Sequence, residues 1–164
     1  MSLALRSLAF AVAVIGVTAV LGPQRTVAAA DRPTVHPSAV AAPPVNKYGE
    51  VCASCHQASG LGIENVFPPL AGSEWLTGSA TVPIAIVLHG LQGEISVKGK
   101  TYNGAMMAWG GVLNDDDLAA TLTYARSQWG NRAAPVTAAQ VKAVRAKLAA
   151  RTTPFTAAEL RALK

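Results

Sequence analysis

The chain has 164 residues, enough for one domain with a real core plus accessory segments. Apolar residues make up 51% but aromatics only 5%, so large core-filling side chains are scarce and a big apolar cofactor would make up the shortage. Its two cysteines are three positions apart and close too small a loop to staple a domain, and the net charge of +5 comes with no nucleic-acid-binding motif; a disulfide scaffold is excluded and no nucleic-acid partner is expected.

The N-terminus reads as an export signal over residues 1–30. Arg6 precedes an apolar run from Leu8 to Leu21, and Ala28-Ala29-Ala30 offers a small-residue cleavage site before Asp31. The run is shorter than the roughly 20 residues that span a bilayer. The expectation is therefore cleavage near Ala30 and a periplasmic protein, with membrane attachment only if the segment is retained. Losing Arg6 and Arg25 takes the formal charge from +5 to +3. Residues 31–43, with Pro33, Pro37 and Pro43 among small residues, read as a linker; His36 within it reads as a solvated histidine.

Residues 44–131 change character. Pro44 or Val45 could open a short helix leading to Cys52. Glycine and proline punctuate Gly60 to Gly78, which cannot be one regular element. Pro83 to His89 is uniformly apolar, and periodicity does not decide between strand and short helix. Leu91 to Ala108 is glycine-rich and reads as loop. The best-marked helix begins at Asn114, an N-cap with Asp117 at the capping-box position, Leu113 and Leu118 as a staple, and a stripe of Leu118, Leu122, Ala125 and Trp129 ended by Gly130.

Residues 132–164 repeat this grammar. Thr137 with Gln140 and Thr156 with Glu159 form capping boxes for helices over about 138–150 and 157–163. From Pro44 to Asn131 there are four basic and seven acidic residues; from Arg132 to Lys164, seven basic and one acidic. The basic extension is either a solvated helical face or a docking element, for an acidic partner or for the domain's own acidic surface.

The chemistry sits in Cys52-Ala53-Ser54-Cys55-His56, the C-x-x-C-H pattern of c-type haem attachment. Two thiols at this spacing can each add to one haem vinyl group, and the next residue is carried over the iron as an imidazole ligand. A thioredoxin-like pair needs a strand–helix–strand setting that is not evident, and a structural zinc site needs four ligands. Apart from Met1, the only methionines are Met106 and Met107. They follow a glycine-bearing loop, and a methionine thioether opposite histidine closes the iron site and raises its potential.

Taken together, residues 44–131 resemble a class I cytochrome c. Tyr48 stands four before Cys52, where the family has an aromatic. Phe67-Pro68-Pro69-Leu70-Ala71-Gly72 is similar to the proline loop behind the proximal histidine, and Tyr102-Asn103-Gly104-Ala105-Met106 to the methionine loop. The resemblance implies an all-α cytochrome c fold around one covalent haem c, with a C-terminal helical extension. It implies attachment through Cys52 and Cys55, iron bound by His56 and Met106, Pro68 accepting the His56 Nδ1 proton, and Tyr102 at the cofactor. Aligning on Gly104 and Trp109 puts Met107 where many relatives have proline, so Met107 is the competing ligand. His89 reads as a packed or surface histidine. Trp75, Trp109, Trp129 and Tyr124 read as core or haem-wall residues, and Lys98 and Lys100 as propionate contacts or solvent-facing charges.

The expected function is single-electron transfer by a periplasmic carrier, or by the cytochrome subunit of an exported dehydrogenase or respiratory complex, with no substrate transformed. Its partners would be redox proteins: a dehydrogenase as donor, an oxidase or another cytochrome as acceptor. The alternatives are a haem enzyme or ligand sensor with a displaceable methionine, and an interaction module carried by the basic extension.

Overall fold

The structure, a computed structural model, describes residues 45–163 and Gly22. The export signal, the linker, His36 and Pro44 lie outside the described residues. No helix among the described residues is long and apolar enough to cross a membrane.

Seven helices and one two-stranded antiparallel sheet form among the described residues. Helices α1 (Tyr48–Val51) and α2 (Ala53–His56) follow one path that breaks at Cys52. Helix α3 (Glu74–Thr77) is a single turn. Helix α4 (Thr81–His89) is buried at every position from Val82 to Leu88. A helix apolar all round has no stripe, which is why periodicity could not separate it from a strand. Pro83 sits in its first turn, where a missing N–H leaves no bond unmade. Gly90, at φ 83°, closes the helix with its N–H on the Ile86 carbonyl at 2.7 Å.

The all-α expectation is corrected by the next segment. Residues read as loop form β1 (Leu91–Val97) and β2 (Lys100–Met106), paired in register from Leu91↔Met106 to Val97↔Lys100. The connection is Lys98-Gly99, with φ of 52° and 77°. Positive φ at both positions is the type I′ hairpin geometry, usually written Asn-Gly or Asp-Gly. Lysine at the first position, with further glycines at 93 and 104, hides the hairpin in the sequence. The fold is mixed, with the ribbon's buried side chains Leu91, Ile95, Val97 and Tyr102 joining the helical core.

Helix α5 (Asp115–Ser127) starts as expected, with the Asn114 side chain accepting from the Asp117 N–H at 2.8 Å. The Asp117 carboxylate also accepts from the Val45 N–H at 2.9 Å, tying the start of the described chain to this helix. The helix ends at Ser127, so Trp129, at φ 55°, is not part of its stripe. Helices α6 (Ala138–Lys147) and α7 (Ala157–Arg161) both carry complete capping boxes.

The residues after 131 pack into the same core through Val136, Val141, Val144, Phe155, Ala157 and Leu160. Arg145 of α6 pairs with Asp115 at 2.8 Å and donates to the carbonyls of Gly110 and Leu113. Part of the basic extension is thus engaged by the domain's own acidic surface.

Candidate functional site

His56 ends the broken helix, carried there by the Cys52 carbonyl, which accepts from the His56 N–H at 2.9 Å. The His56 Nδ1 lies 2.9 Å from the Pro68 carbonyl oxygen. A carbonyl only accepts, so Nδ1 holds the proton and Nε2 keeps a free lone pair. Burial holds the imidazole below its ordinary pKa, while the Pro68 bond opposes that shift. A neutral, oriented ring with one free lone pair is the form a metal requires.

The loop carrying Pro68 is built from backbone contacts. The Gly60 carbonyl accepts from the N–H groups of Leu70 and Ala71 at 2.8 and 3.0 Å. Gly60, at φ 68°, lies against the Trp129 ring, where a Cβ would collide. Trp129 donates to the Ala58 carbonyl at 3.0 Å and Tyr48 to the Gln57 carbonyl at 2.7 Å. Tyr48, Tyr124 and Trp129 form an aromatic cluster with ring centroids 5.0 to 6.0 Å apart, which joins α1 to the end of α5. Sequence reasoning found no signal for two further anchors. Asn131 donates to the Leu70 and Ala125 carbonyls and accepts from the Gly72 N–H. Arg126, buried in α5, donates to the carbonyls of Leu76, Gly78 and Ala134, and burial holds its pKa below the usual value. An arginine on an amphipathic helix ordinarily reads as solvent-facing, and an asparagine after a helix-ending glycine reads as turn.

Cys52 and Cys55 are half-buried free thiols. Burial, followed by the neighbouring Cys55, pushes the Cys52 thiol up to about 11. That is opposite to the lowered thiol pKa of a thioredoxin-like redox pair. Among the described residues no three His, Cys, Asp or Glu side chains gather into a metal-holding group.

His56 lines a cavity of about 90 Å³ that is partly open to solvent. The wall is almost wholly apolar and draws on the proline loop, α3, α4, the hairpin and α5: Pro68 and Leu70, Trp75 and Leu76, Ile86 and Val87, Leu91 and Ile95, Leu122 and Ala125. Met106 lines it too, whereas Met107 is 66% exposed and does not. Met106 is the last residue of β2, and Met107 lies just beyond the strand. Of the expected site residues, His56, Pro68 and Met106 meet at this cavity. Tyr102 is buried as the register partner of Ile95 but is not among the lining residues. Trp75 lines the wall and donates to the Ser96 carbonyl at 2.7 Å; Trp109, Trp129 and Tyr124 do not line it. Lys100 pairs with Glu64 at 2.6 Å at the surface, and the Lys98 N–H donates to Glu74. His89 packs edge-on against Phe155, away from the cavity lining.

These residues fit a haem. The donor set is an imidazole with its second nitrogen committed, a thioether on the same cavity, two thiols immediately before the imidazole, and apolar walls for a large planar ring.

The family model described as cytochrome c oxidase, cbb3-type, subunit III, matches residues 39–124. Cytochrome c-552 of Thermus thermophilus is 44% identical over 105 residues, covering 58% of this chain and 79% of that one. The cytochrome c subunit of the quinone alcohol dehydrogenase of Gluconacetobacter polyoxogenes is 32% identical over 106 residues, and this chain spans 22% of it. The cbb3-type cytochrome c oxidase subunit CcoP of Azospirillum brasilense is 35% identical over 80 residues, with 27% of its length matched.

Proposed function

The chain belongs to this cytochrome c family, and from that premise we propose that it is an exported monohaem electron-transfer protein whose iron is held by His56 and Met106. The division that goes with this reading is a signal over 1–30, a linker over 31–43, a haem domain over 44–131 and a basic extension over 132–164. The observation that carries the proposal is the shared cavity. A histidine with its Nδ1 committed and a methionine thioether line one apolar space, immediately after two free thiols.

Cys52 and Cys55 would hold haem c covalently, each thiol supplying the S–H that adds across a vinyl group to leave a thioether, with no leaving group and no oxidant needed. Pro68 holds the His56 Nδ1 proton and leaves Nε2 as the nitrogen that would ligate the iron. The apolar walls exclude water, and the neutral thioether of Met106 favours the ferrous state. Bound there, haem c supplies an iron that alternates between Fe(II) and Fe(III). The chain transforms no substrate. Its donor and acceptor are redox proteins: a dehydrogenase on one side and an oxidase or other cytochrome on the other, as the names of several relatives suggest.

A pyridine haemochrome assay on the protein purified from the periplasm tests attachment; lack of covalent haem rejects the proposal. The Met106→Ala variant should lose the red charge-transfer band of methionine-ligated ferric haem while Met107→Ala keeps it. The reverse result assigns the ligand to Met107.

A further inference from the structure

Met106 is the last residue of β2, and its register partner is Leu91, the first residue of β1. A hairpin of two strands is marginal in water on its own. At this rung it has a third member. Leu91 bridges in parallel to Phe155 of the extension. The Phe155 N–H donates to the Gly90 carbonyl at 3.0 Å, and its own carbonyl accepts from the Gln92 N–H at 2.8 Å. Met106, Leu91 and Phe155 thus lie side by side, the first two paired in the hairpin and the third joined to it by an isolated bridge.

The packing behind this ladder is tight. Phe155 is 2% exposed, its ring is covered by the Arg151 guanidinium at 3.6 Å and met edge-on by His89. Gly90 allows the close approach: a Cβ there would sit 2.5 Å from the Met106 carbonyl oxygen. The extension also grips the chain beyond Met106. Arg145 donates to the Gly110 carbonyl at 2.6 Å and to the Leu113 carbonyl at 2.9 Å, and pairs with Asp115. The segment carrying Met106 is therefore held on both sides by residues from the extension, by Phe155 through Leu91 and by Arg145 through Gly110.

We propose that Phe155 and Arg145 are positioning residues that clamp Met106 at the sixth coordination position, so that the extension keeps the iron closed to external ligands. The proposal rests on the reading of Met106 as a ligand. Its physical basis is the weakness of a neutral thioether. An external ligand competes whenever the segment opens locally, and the opening frequency is set by the contacts that must break first. Both contacts come from residues beyond 131, which gives the extension a role in the redox site.

The test uses the full-length ferric holoprotein with imidazole as the probe ligand. Phe155→Ala should raise imidazole affinity by about tenfold or more and speed its binding, since a truncated aromatic weakens local closure strongly. Phe155→Leu should return most of the wild-type behaviour, and Arg145→Gln should move affinity in the same direction by less. Val136→Ala, a buried truncation in the extension that touches neither Gly90 nor Gly110, serves as the stability control and should leave affinity unchanged. The clamp is overturned if Phe155→Ala binds imidazole as wild type does, or if affinity tracks global unfolding equally in Phe155→Ala and Val136→Ala. Should Phe155→Ala not fold, Arg145→Gln alone decides, and unchanged affinity overturns the proposal. Persistence of the charge-transfer band in Met106→Ala would instead overturn the ligand reading beneath it, whatever the clamp variants do.

Discussion

The two sides of the cavity are built by different means. On the histidine side, ligand and orienting carbonyl lie twelve residues apart, and the intervening turn is closed by its own backbone bonds. On the methionine side, Met106 is held by a strand fifteen positions earlier in register and by residues of an extension some fifty positions later. The first side is local and spelled in a motif. The second is an agreement between distant segments, each unremarkable alone. In the proposed site, local construction would make the histidine side hard to move without losing the cofactor, and non-local construction would make the methionine side the place where the site opens.

The largest expected effect breaks the histidine side. Replacing Cys52 and Cys55 together by serine should abolish covalent haem, read as loss of haem staining on a denaturing gel. Protein that retained stain would show that attachment lies elsewhere. Next in size is Asn131→Ala, which removes three bonds joining the proline loop to α5 and leaves the buried Ala125 carbonyl without its partner. An unsatisfied buried group costs about 1–3 kcal/mol, so guanidinium unfolding of the holoprotein should show a loss of about 1–3 kcal/mol. A loss under about 0.5 kcal/mol, the usual range of a surface change, would show that the loop holds itself.

On the methionine side a pair of glycines sharpens the contrast. Gly90 and Gly99 both have positive φ, 83° and 77°. A side chain at Gly99 meets nothing within 4 Å, whereas one at Gly90 meets the backbone of Met106 and Ala108. Gly99→Ala should cost about 1–2 kcal/mol for the left-handed conformation alone. Gly90→Ala should cost distinctly more and also weaken the charge-transfer band, because the backbone it pushes is that of Met106. Equal costs in thermal unfolding, with the band intact in both, would separate Gly90 from the ligand.

The same division explains what could be read before any coordinates. The caps at Asn114, Thr137 and Thr156 were legible because capping is a matter of three or four adjacent residues. The histidine side was legible because its spacing is dictated by haem chemistry. The hairpin was not, since a lysine occupies a turn position that asparagine usually announces, and glycines at 93 and 104 imitate loop. Helix α4 was ambiguous because it is apolar on every face. Adjacent methionines could be ranked only by likeness; the fold puts Met106, at the end of β2, on the cavity and leaves Met107, just beyond the strand, exposed. Arg126 carried no local signal, and Phe155 only that of an apolar residue stapling the Thr156 cap to Leu160, because their tertiary partners are tens of residues away.

The smallest effect concerns how the extension is seated in acid. His89 is half-buried at the end of α4, with its Nε2 buried and without a partner, facing Phe155 edge-on. Burial lowers its pKa from 6.5; Arg151 and, more weakly, Arg145 add to the lowering, and the Arg151 backbone opposes it. The folded state therefore takes up a proton less readily than the unfolded chain, whose histidine titrates near 6.5. Stability from this site is fully present above that pH and is lost as pH falls below it, because protonation is then easier in the unfolded state. A wild-type holoprotein unfolded at pH 7 and at pH 5 should lose more stability over that interval than His89→Gln does, the difference isolating this ring from every other titrating group. It should be modest, since the ring is only half-buried and neighbouring guanidinium charges are partly screened. Because His89 touches Phe155, acid should also raise imidazole affinity in the wild type more than in His89→Gln, after allowance for protonation of imidazole itself. Parallel pH profiles for the two proteins would show that the extension is seated independently of this histidine.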